Sequence, residues 1–407
     1  MEVTQIGRNV VCEMKKKKAK KSEFLNHDYH NFTEQHIGIE SKYFGIENKS
    51  ILERHIWIYE VHSQIQKRLK NSCVLKGGAC AQLYLPLEVQ RCTEDLDIYT
   101  SLNPVKLKKE LQYLAKDFNM SKIPAKIHEY IPKSVRLYGK TMPITTIIIN
   151  LPFIFKESRK RGASELKIDF LHVDIKRLQK NFINNGEVLG LELKYTPNCM
   201  SLYSIIGAKL IVFAVNTIGI EGFKKDKLYK NMYDVYYLIE NNNDIDTLKK
   251  VGDYLKDNID MEFYVKGIEK VSLDDILTDI LKELYILSVE DIKEGYEGIS
   301  KRVKKFEDNY IQKRISYKLT YDRWGIMASY IYIWVYALKK YIMNDDCGSL
   351  EDMDHVFKEY EYYNTLSSKQ QINYLNNIID KLRVREDLRY DFVEEPLRLI
   401  YLHNIIS

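Results

Sequence analysis

Apolar positions recur at helical spacing over residues 51 to 69, where Ile51, Ile56, Ile58, Val61, Ile65 and Leu69 predict an amphipathic helix. The pattern then tightens. Val74 and Leu75 read as a short buried strand, Gly77 and Gly78 as a turn, and Ala79 to Leu85 as a helix stopped by Pro86. From Glu94 to Tyr99 the period becomes two: Leu96 and Ile98 share one face and Asp95 and Asp97 the other, because side chains alternate along a strand. Pro104 to Phe118 returns to a helical stripe. Ser134 to Leu137, Thr145 to Ile149, Leu166 to Val173 and Val188 to Leu193 read as strands, with Lys160 to Gly162 as a hairpin turn. Ser201 to Asn216 and Leu228 to Ile239 are again helical.

Asn241 to Asp246 breaks the pattern and marks the expected boundary between two domains, 51–245 and 246–407. Beyond it, helical patterns over Leu273–Leu287, Ile299–Ile315, Trp324–Ile342, Leu350–Tyr362, Ser368–Leu382 and Pro396–Ile406, with breaks at Gly325 and at Asn344 to Gly348, predict an antiparallel bundle. Residues 1–50 are polar and weakly periodic, with lysines at 15 to 18, 20 and 21, and read as a solvated arm. The expected fold class is α+β: a small mixed sheet with flanking helices, followed by an α-helical bundle.

Composition sharpens this only in places. With 407 residues and 45% hydrophobic side chains the chain is long enough for two cores. The 62 basic and 57 acidic side chains leave a net charge of +5, a mild bias toward anionic partners. Six cysteines without a Cys-x-x-Cys pair read as reduced thiols of a cytoplasmic protein and argue against zinc or disulfide frameworks. No signal peptide opens the sequence, and the run Ile326 to Leu338 is shorter than the roughly 20 residues that span a bilayer, so no membrane is expected.

The chemistry concentrates around the glycine turn. Backbone amides at Gly77 and Gly78, entering a helix, suit phosphate oxygens. Asp95 and Asp97 on one patch of strand repel each other unless a cation such as Mg²⁺ sits between them. Asp169, between Ile168 and Phe170, needs a partner in the same way, with Asp174 as its competitor and an ordinary salt bridge as the alternative. Lys209 falls within the apolar stripe of Leu202, Ile205, Ile206, Leu210 and Phe213, so its ammonium is aimed inward at a phosphate or a carboxylate. Basic residues Lys301, Arg302, Lys304, Lys305, Lys313, Arg314 and Lys318 lie near Tyr310, Tyr317, Tyr321 and Trp324; they form either an RNA-gripping face or a solvated helix surface.

The order strand, Gly-Gly, helix, loop, Arg91-x-Thr93-x-Asp95-Leu96-Asp97 resembles the first motif of polymerase β-like nucleotidyltransferases. The lead-in Leu75-Lys76-Gly77-Gly78 is closest to the AbiEii family of nucleotidyltransferase toxins. The stretch ending in Tyr233-Asp234 resembles the closing segment of that family's domain; helical arithmetic alone sets Asp234 on the flank of its helix. Ala79 departs from the Thr or Ser common in relatives, and the spacer between Gly78 and Asp95 is long. The resemblance implies transfer of a nucleoside monophosphate from an NTP to an acceptor hydroxyl, typically on RNA and on tRNA in relatives. It further implies a toxin with a separately encoded antitoxin, or a role in phage defence. Asp95, Asp97 and Asp169 would hold a pair of Mg²⁺ ions, Lys76, Gly77, Gly78, Arg91, Thr93 and Asp234 the nucleotide, and Lys209 would offset charge during transfer. The alternatives are a small-molecule nucleotidyltransferase acting on an aminoglycoside-like acceptor, and a non-catalytic RNA- or antitoxin-binding module.

Overall fold

The computed structural model describes residues 24–131, 143–155, 165–183, 186–220, 226–294, 303–304, 306–313, 321–344, 350–382 and 400. The lysine run before residue 22, the strand expected at Ser134–Leu137, the turn at Lys160–Gly162, the break at 345–348, most of the last helix, and Lys301, Arg302, Lys305, Arg314, Tyr317 and Lys318 lie outside them.

Residues 24–50 are not a solvated arm. Helix α1 (Glu34–Phe44) starts at Thr33, whose side chain accepts from the His36 amide, and buries Ile37 and Phe44. Phe32 packs on Trp57 at 4.2 Å between ring centroids, and His27 pairs with the buried Glu60. The polar look of this stretch came from His27, His36 and Ser41, which are buried with hydrogen-bond partners that offset the cost of desolvating them.

Helix α2 (Lys49–Leu69) is capped by Asn48 and leads through one short turn to strand β1 (Cys73–Lys76), helix α3 (Gly77–Tyr84) and strand β2 (Asp95–Thr100). Helix α4 (Pro104–Met120) has Asn103 as its cap and proline in its first turn, where no amide is needed. Strands β3 (Lys126–Tyr130), β4 (Ile144–Asn150), β5 (Glu165–His172) and β6 (Lys180–Phe182) follow. The strand expected at Val188–Leu193 is instead a small separate hairpin, β7 (Glu187–Val188) and β8 (Leu191–Glu192), turned by Gly190 at φ +72°. Strand β9 (Asn198–Met200) then joins the main sheet. The seven strands run in the order β3-β4-β5-β2-β1-β9-β6, with β2 parallel to β5, β1 parallel to β9, and the remaining pairs antiparallel.

Helix α2 touches β1 and β2, and α4 packs on α2 through Leu107, Leu111, Leu114 and Phe118. Leu96, Ile98, Ile168 and Phe170 are almost fully buried in this layer, which leaves the other face of β2 and β5 for polar residues. Helix α5 (Leu202–Leu210) is shorter than expected and ends in a 3₁₀ turn, Ile211–Phe213. Helix α6 (Asp226–Glu240) and helix α7 (Ile245–Lys266) flank the Asn241–Asp244 turn; α7, absent from the expected elements, packs on α5. Helices α8 (Leu273–Glu294) and α9 (Tyr321–Asn344) pack along each other, and α10 (Leu350–Thr365) and α11 (Ser368–Leu382) follow. Gly325 does not break α9. Among the described residues no helix is long and apolar enough to cross a membrane.

Candidate active site

Strand pairing brings the three aspartates together. Lys76 of β1 stands opposite Asp97 of β2, and Asp97 stands opposite Asp169 of β5, with Asp95 opposite Lys167. Directly opposed residues share a face, so Asp95, Asp97, Asp169, Lys76 and Lys167 occupy one surface of the sheet. Asp174, the competitor for Asp169, is exposed after β5, where it caps a 3₁₀ turn and pairs with Arg177.

The glycine pair is explained by close approach. Gly77 has φ +70°, and a Cβ there would collide with Asp97 Oδ2. A Cβ on Gly78 would sit 2.9 Å from Thr93 Oγ1 and 3.4 Å from Arg91 Nη2. Helix α3 starts with no side-chain cap, so its first amides have no acceptor from Lys76.

Electrostatics single out Asp97. Burial raises its pKa most, Lys76 opposes that, and the neighbouring Asp95 and Asp169 raise it further. Lys76 lies 4.5 Å over the Tyr99 ring. Burial disfavours its ammonium, but Tyr99, Asp97 and Glu262 together outweigh that and hold its pKa up at about 12. Asp169 accepts from Thr146 Oγ1 at 2.6 Å and pairs with Lys167 at 2.5 Å, so its partner in this structure is an ordinary salt bridge.

Among the described residues no three His, Cys, Asp or Glu side chains already converge as a metal-ligand group. The donor set still fits a hard divalent cation: three carboxylates stand on adjoining strands, and the central one is destabilised by the other two.

Lys209 of α5 and Asp234 of α6 meet each other. Asp234, far from being a flank residue, is fully buried: Arg91 Nε and Nη2 donate to its two oxygens at 2.8 and 2.5 Å, Lys209 Nζ at 2.7 Å and Gln82 Nε2 at 3.2 Å. Burial would raise the Asp234 pKa, but Arg91 and then Lys209 outweigh it and hold it at about 2. Arg91 spends Nη1 on the Cys92 carbonyl, and its backbone amide on Gln82. Lys209 thus has the buried carboxylate partner rather than a free path to a ligand, and Arg91 and Asp234 brace the loop before β2 from within, not from the surface.

Sequence reasoning missed Lys230. Its ammonium lies 5.4 Å from the Tyr310 ring and, among the described residues, forms no salt bridge. Burial first, then Arg91, push its pKa down to about 8, while Asp95 and Asp234 favour the charge. It stands four residues before Asp234, on the same face of α6, which is the spacing that would have revealed it once Asp234 was known to point inward.

The loop between α3 and β2 is held from two sides. From α2, the buried His55 accepts the Thr93 amide at 3.1 Å and Tyr59 donates to the Ala79 carbonyl at 3.0 Å. Burial, then Arg91, drop the His55 pKa to about 3, so it is a neutral acceptor. From the helical half, Tyr310 donates to Glu94 at 2.6 Å, the Cys92 amide donates to the Tyr310 carbonyl at 2.8 Å, and Gln312 Nε2 donates to the Leu87 and Gln90 carbonyls, each at 2.8 Å. Trp324 is buried and donates to Glu307. Trp324 therefore serves packing and is no stacking surface for RNA, while the half-buried Tyr310 positions the loop through Glu94 and Cys92.

The profile of the AbiEii family, described as nucleotidyl transferase AbiEii toxin of a type IV toxin–antitoxin system, matches residues 64–309. That span holds Lys76, Gly77, Gly78, Arg91, Thr93, Asp95, Asp97, Lys167, Asp169, Lys209, Lys230 and Asp234, while His55, Tyr59, Tyr310 and Gln312 lie just outside it. The chain belongs to the AbiEii family. It is a nucleotidyltransferase of that toxin family, and the matched span runs past the Asn241–Asp244 turn to the segment that carries Asn309. Two solved structures are similar at 14% identity. A candidate nucleotidyltransferase from H. pylori aligns over 72% of this chain and 98% of its own, with a TM-score of 0.38. An antigenic nucleotidyltransferase-like protein from Paracoccidioides brasiliensis aligns over 53% and 94%, with a TM-score of 0.29. No curated protein matches. The AbiEii assignment rests on the family profile, not on these distant folds.

Proposed function

We propose that this AbiEii protein transfers a nucleoside monophosphate from an NTP to a hydroxyl of RNA, with tRNA the acceptor class that the family points to, and that a separately encoded antitoxin opposes it in the cytoplasm. The observation that carries the reading is the Asp97 carboxylate, set against Gly77 on one side and opposite Asp169 on the other. Asp95, Asp97 and Asp169 would hold Mg²⁺; when bound, such ions stabilise the entering and leaving oxygens of an in-line displacement. The chain's own residues do the rest. The amides of Gly77 and Gly78 receive phosphate oxygens at the start of α3. Lys76 keeps its proton at neutral pH beside Asp97 and supplies fixed positive charge. Lys230, which forms no salt bridge among the described residues, is a further cation for the triphosphate, whereas Lys209 and Arg91 act through Asp234 by fixing the loop that presents Thr93, Asp95 and Asp97. Once Lys167 leaves it, Asp169 would complete the shell of one ion and so favour deprotonation of the acceptor hydroxyl.

One observation favours a second reading. A cavity of about 420 Å³ beside Met200 and Tyr264 is rimmed by Asp257, by Asp174 paired with Arg177 and by Asp260 paired with Lys270, and a small cationic acceptor of the aminoglycoside kind would compete with those pairs for the carboxylates. Incubating the purified protein with each labelled NTP, Mg²⁺ and either total RNA or an aminoglycoside panel tests both. Label in RNA that Asp97→Ala abolishes supports the proposal; label only in the small acceptor replaces it, and label in neither refutes the catalytic reading.

A further inference from the structure

Lys167 stands on β5 opposite Asp95 and two residues before Asp169, so its side chain shares the face of all three aspartates. Its Nζ lies 2.5 Å from Asp169 Oδ2, while Thr146 holds Oδ1 at 2.6 Å. The two lysines of this face differ in freedom. Lys76 is confined against the Tyr99 ring. Lys167 has 42% of its side chain exposed, and can leave toward solvent without crossing packed core.

A carboxylate oxygen that holds an ammonium at hydrogen-bond distance cannot give the same lone pairs to a metal ion. Yet without a second cation the three carboxylates on two adjoining strands would be offset by Lys76 alone among the described residues. We infer that Lys167 is a displaceable counter-ion: it neutralises Asp169 before a divalent ion loads, competes with that ion for Oδ2, and is released toward the anionic substrate when the ion binds. This rests on the metal-dependent transfer proposed above.

Competition has a further consequence. A triphosphate brings its own oxygens to the metal and offers the freed ammonium a new partner, so nucleotide and metal bind together more favourably than either alone. By linkage, each raises the other's affinity by the same factor. Lys167 therefore disfavours idle loading of the site with metal alone.

The test is Mn²⁺ binding to the full chain, followed by electron paramagnetic resonance, with and without a non-hydrolysable NTP analogue. Lys167→Met keeps the apolar stem and removes the competitor, and Lys167→Gln serves as a second neutral variant. Both should bind Mn²⁺ without nucleotide at least about fivefold more tightly than the parent, near 1 kcal/mol at 1.4 kcal/mol per decade, and show a smaller gain on adding the analogue. Lys167→Arg should behave as the parent. Neutral variants that bind Mn²⁺ equally or more weakly would overturn the inference while leaving metal-dependent transfer standing. A parent that binds no Mn²⁺ even with the analogue would remove the metal reading itself, and this inference with it.

Discussion

Replacing Asp234 by Asn keeps the shape of the side chain and removes the anion that serves both Arg91 and Lys209. The lower bound on the cost follows from the carboxylate's own titration. Its pKa is held at about 2 against an ordinary 3.8, and a shift of this size corresponds to about 2 kcal/mol at 1.36 kcal/mol per unit. The upper bound is the cost of stranding a buried partner, roughly 3 to 5 kcal/mol, and here two cations are stranded side by side. At roughly 2 to 4 °C per kcal/mol, the melting temperature should fall on the order of 10 °C. Lys209→Met should cost less, about 1.5 to 3 kcal/mol, the worth of a hydrogen bond to a charged group, because Arg91 still occupies both oxygens of Asp234. Added to Asp234→Asn, Lys209→Met should restore stability by removing one stranded charge. The pH dependence has a definite sign: a depressed carboxylate pKa gives stability that is present above about pH 4 and lost as the pH falls toward about 2. Melts by circular dichroism at pH 7 and between pH 4 and 2 check all of this. Asp234→Asn melting within a degree or two of the parent at pH 7, or the double variant melting below both singles, would refute the triad as a stabilising unit.

Asp97→Ala should fold normally, because the carboxylate it removes is one that burial and two like charges disfavour, and should cut nucleotide transfer by about 10²-fold or more, near 2.7 kcal/mol; radiolabel transfer and a melting curve on the same sample decide it. Gly77→Ala forces a Cβ into a φ +70° residue and against Asp97 Oδ2, so it should lose about 1 kcal/mol of stability and more transfer than that loss explains. In Lys230→Met, NTP binding measured by calorimetry should be weaker and flat with pH, whereas parent binding should fade as pH passes about 8; a parallel fade in the variant would clear Lys230 of the role. Unfolding cannot mimic that fade, since a lysine whose pKa drops from 10.5 to about 8 on folding contributes increasing stability over that interval.

The strand and turn of the site were legible because their signals are local. Alternation of Leu96 and Ile98 with Asp95 and Asp97 needs no tertiary knowledge, and neither does a glycine pair between an apolar strand and a helix. The inward aim of Lys209 was also legible, from the apolar stripe around it, but its target was not. An ammonium on a buried face meets either an external phosphate or an internal carboxylate, and the choice depends on Asp234, which lies on a different helix. Asp234 was misplaced because Leu228, Met232 and Val235 define only the centre of a stripe; a buried ion pair widens the buried face without adding an apolar residue to the pattern. Short strands such as β6 and β9 escaped because three residues give no readable period, and α1 because its buried histidine and serine look polar until their partners are known.

Why the loop from Leu87 to Glu94 needs anchors on both sides follows from what it must do. It has no regular structure for most of its length, yet it sets where Asp95 begins β2, and a misplacement of about 1 Å in a reacting group can cost 10²-fold in rate. Residues of α2 hold it through His55 at Thr93 and Arg54 at Glu94, while the stretch from Phe306 to Gln312 holds it at Leu87, Gln90, Cys92 and Glu94. Phe306 also lies 5.8 Å from the Arg91 guanidinium, closing the space over the Arg91–Asp234–Lys209 triad. The family profile ends within this same stretch, at Asn309. The loop leading into Asp95 is therefore completed by residues more than sixty positions beyond the Asn241–Asp244 turn, and a chain cut at that turn would retain Asp95 and Asp97 but lose the donors and acceptors that fix the backbone leading into them.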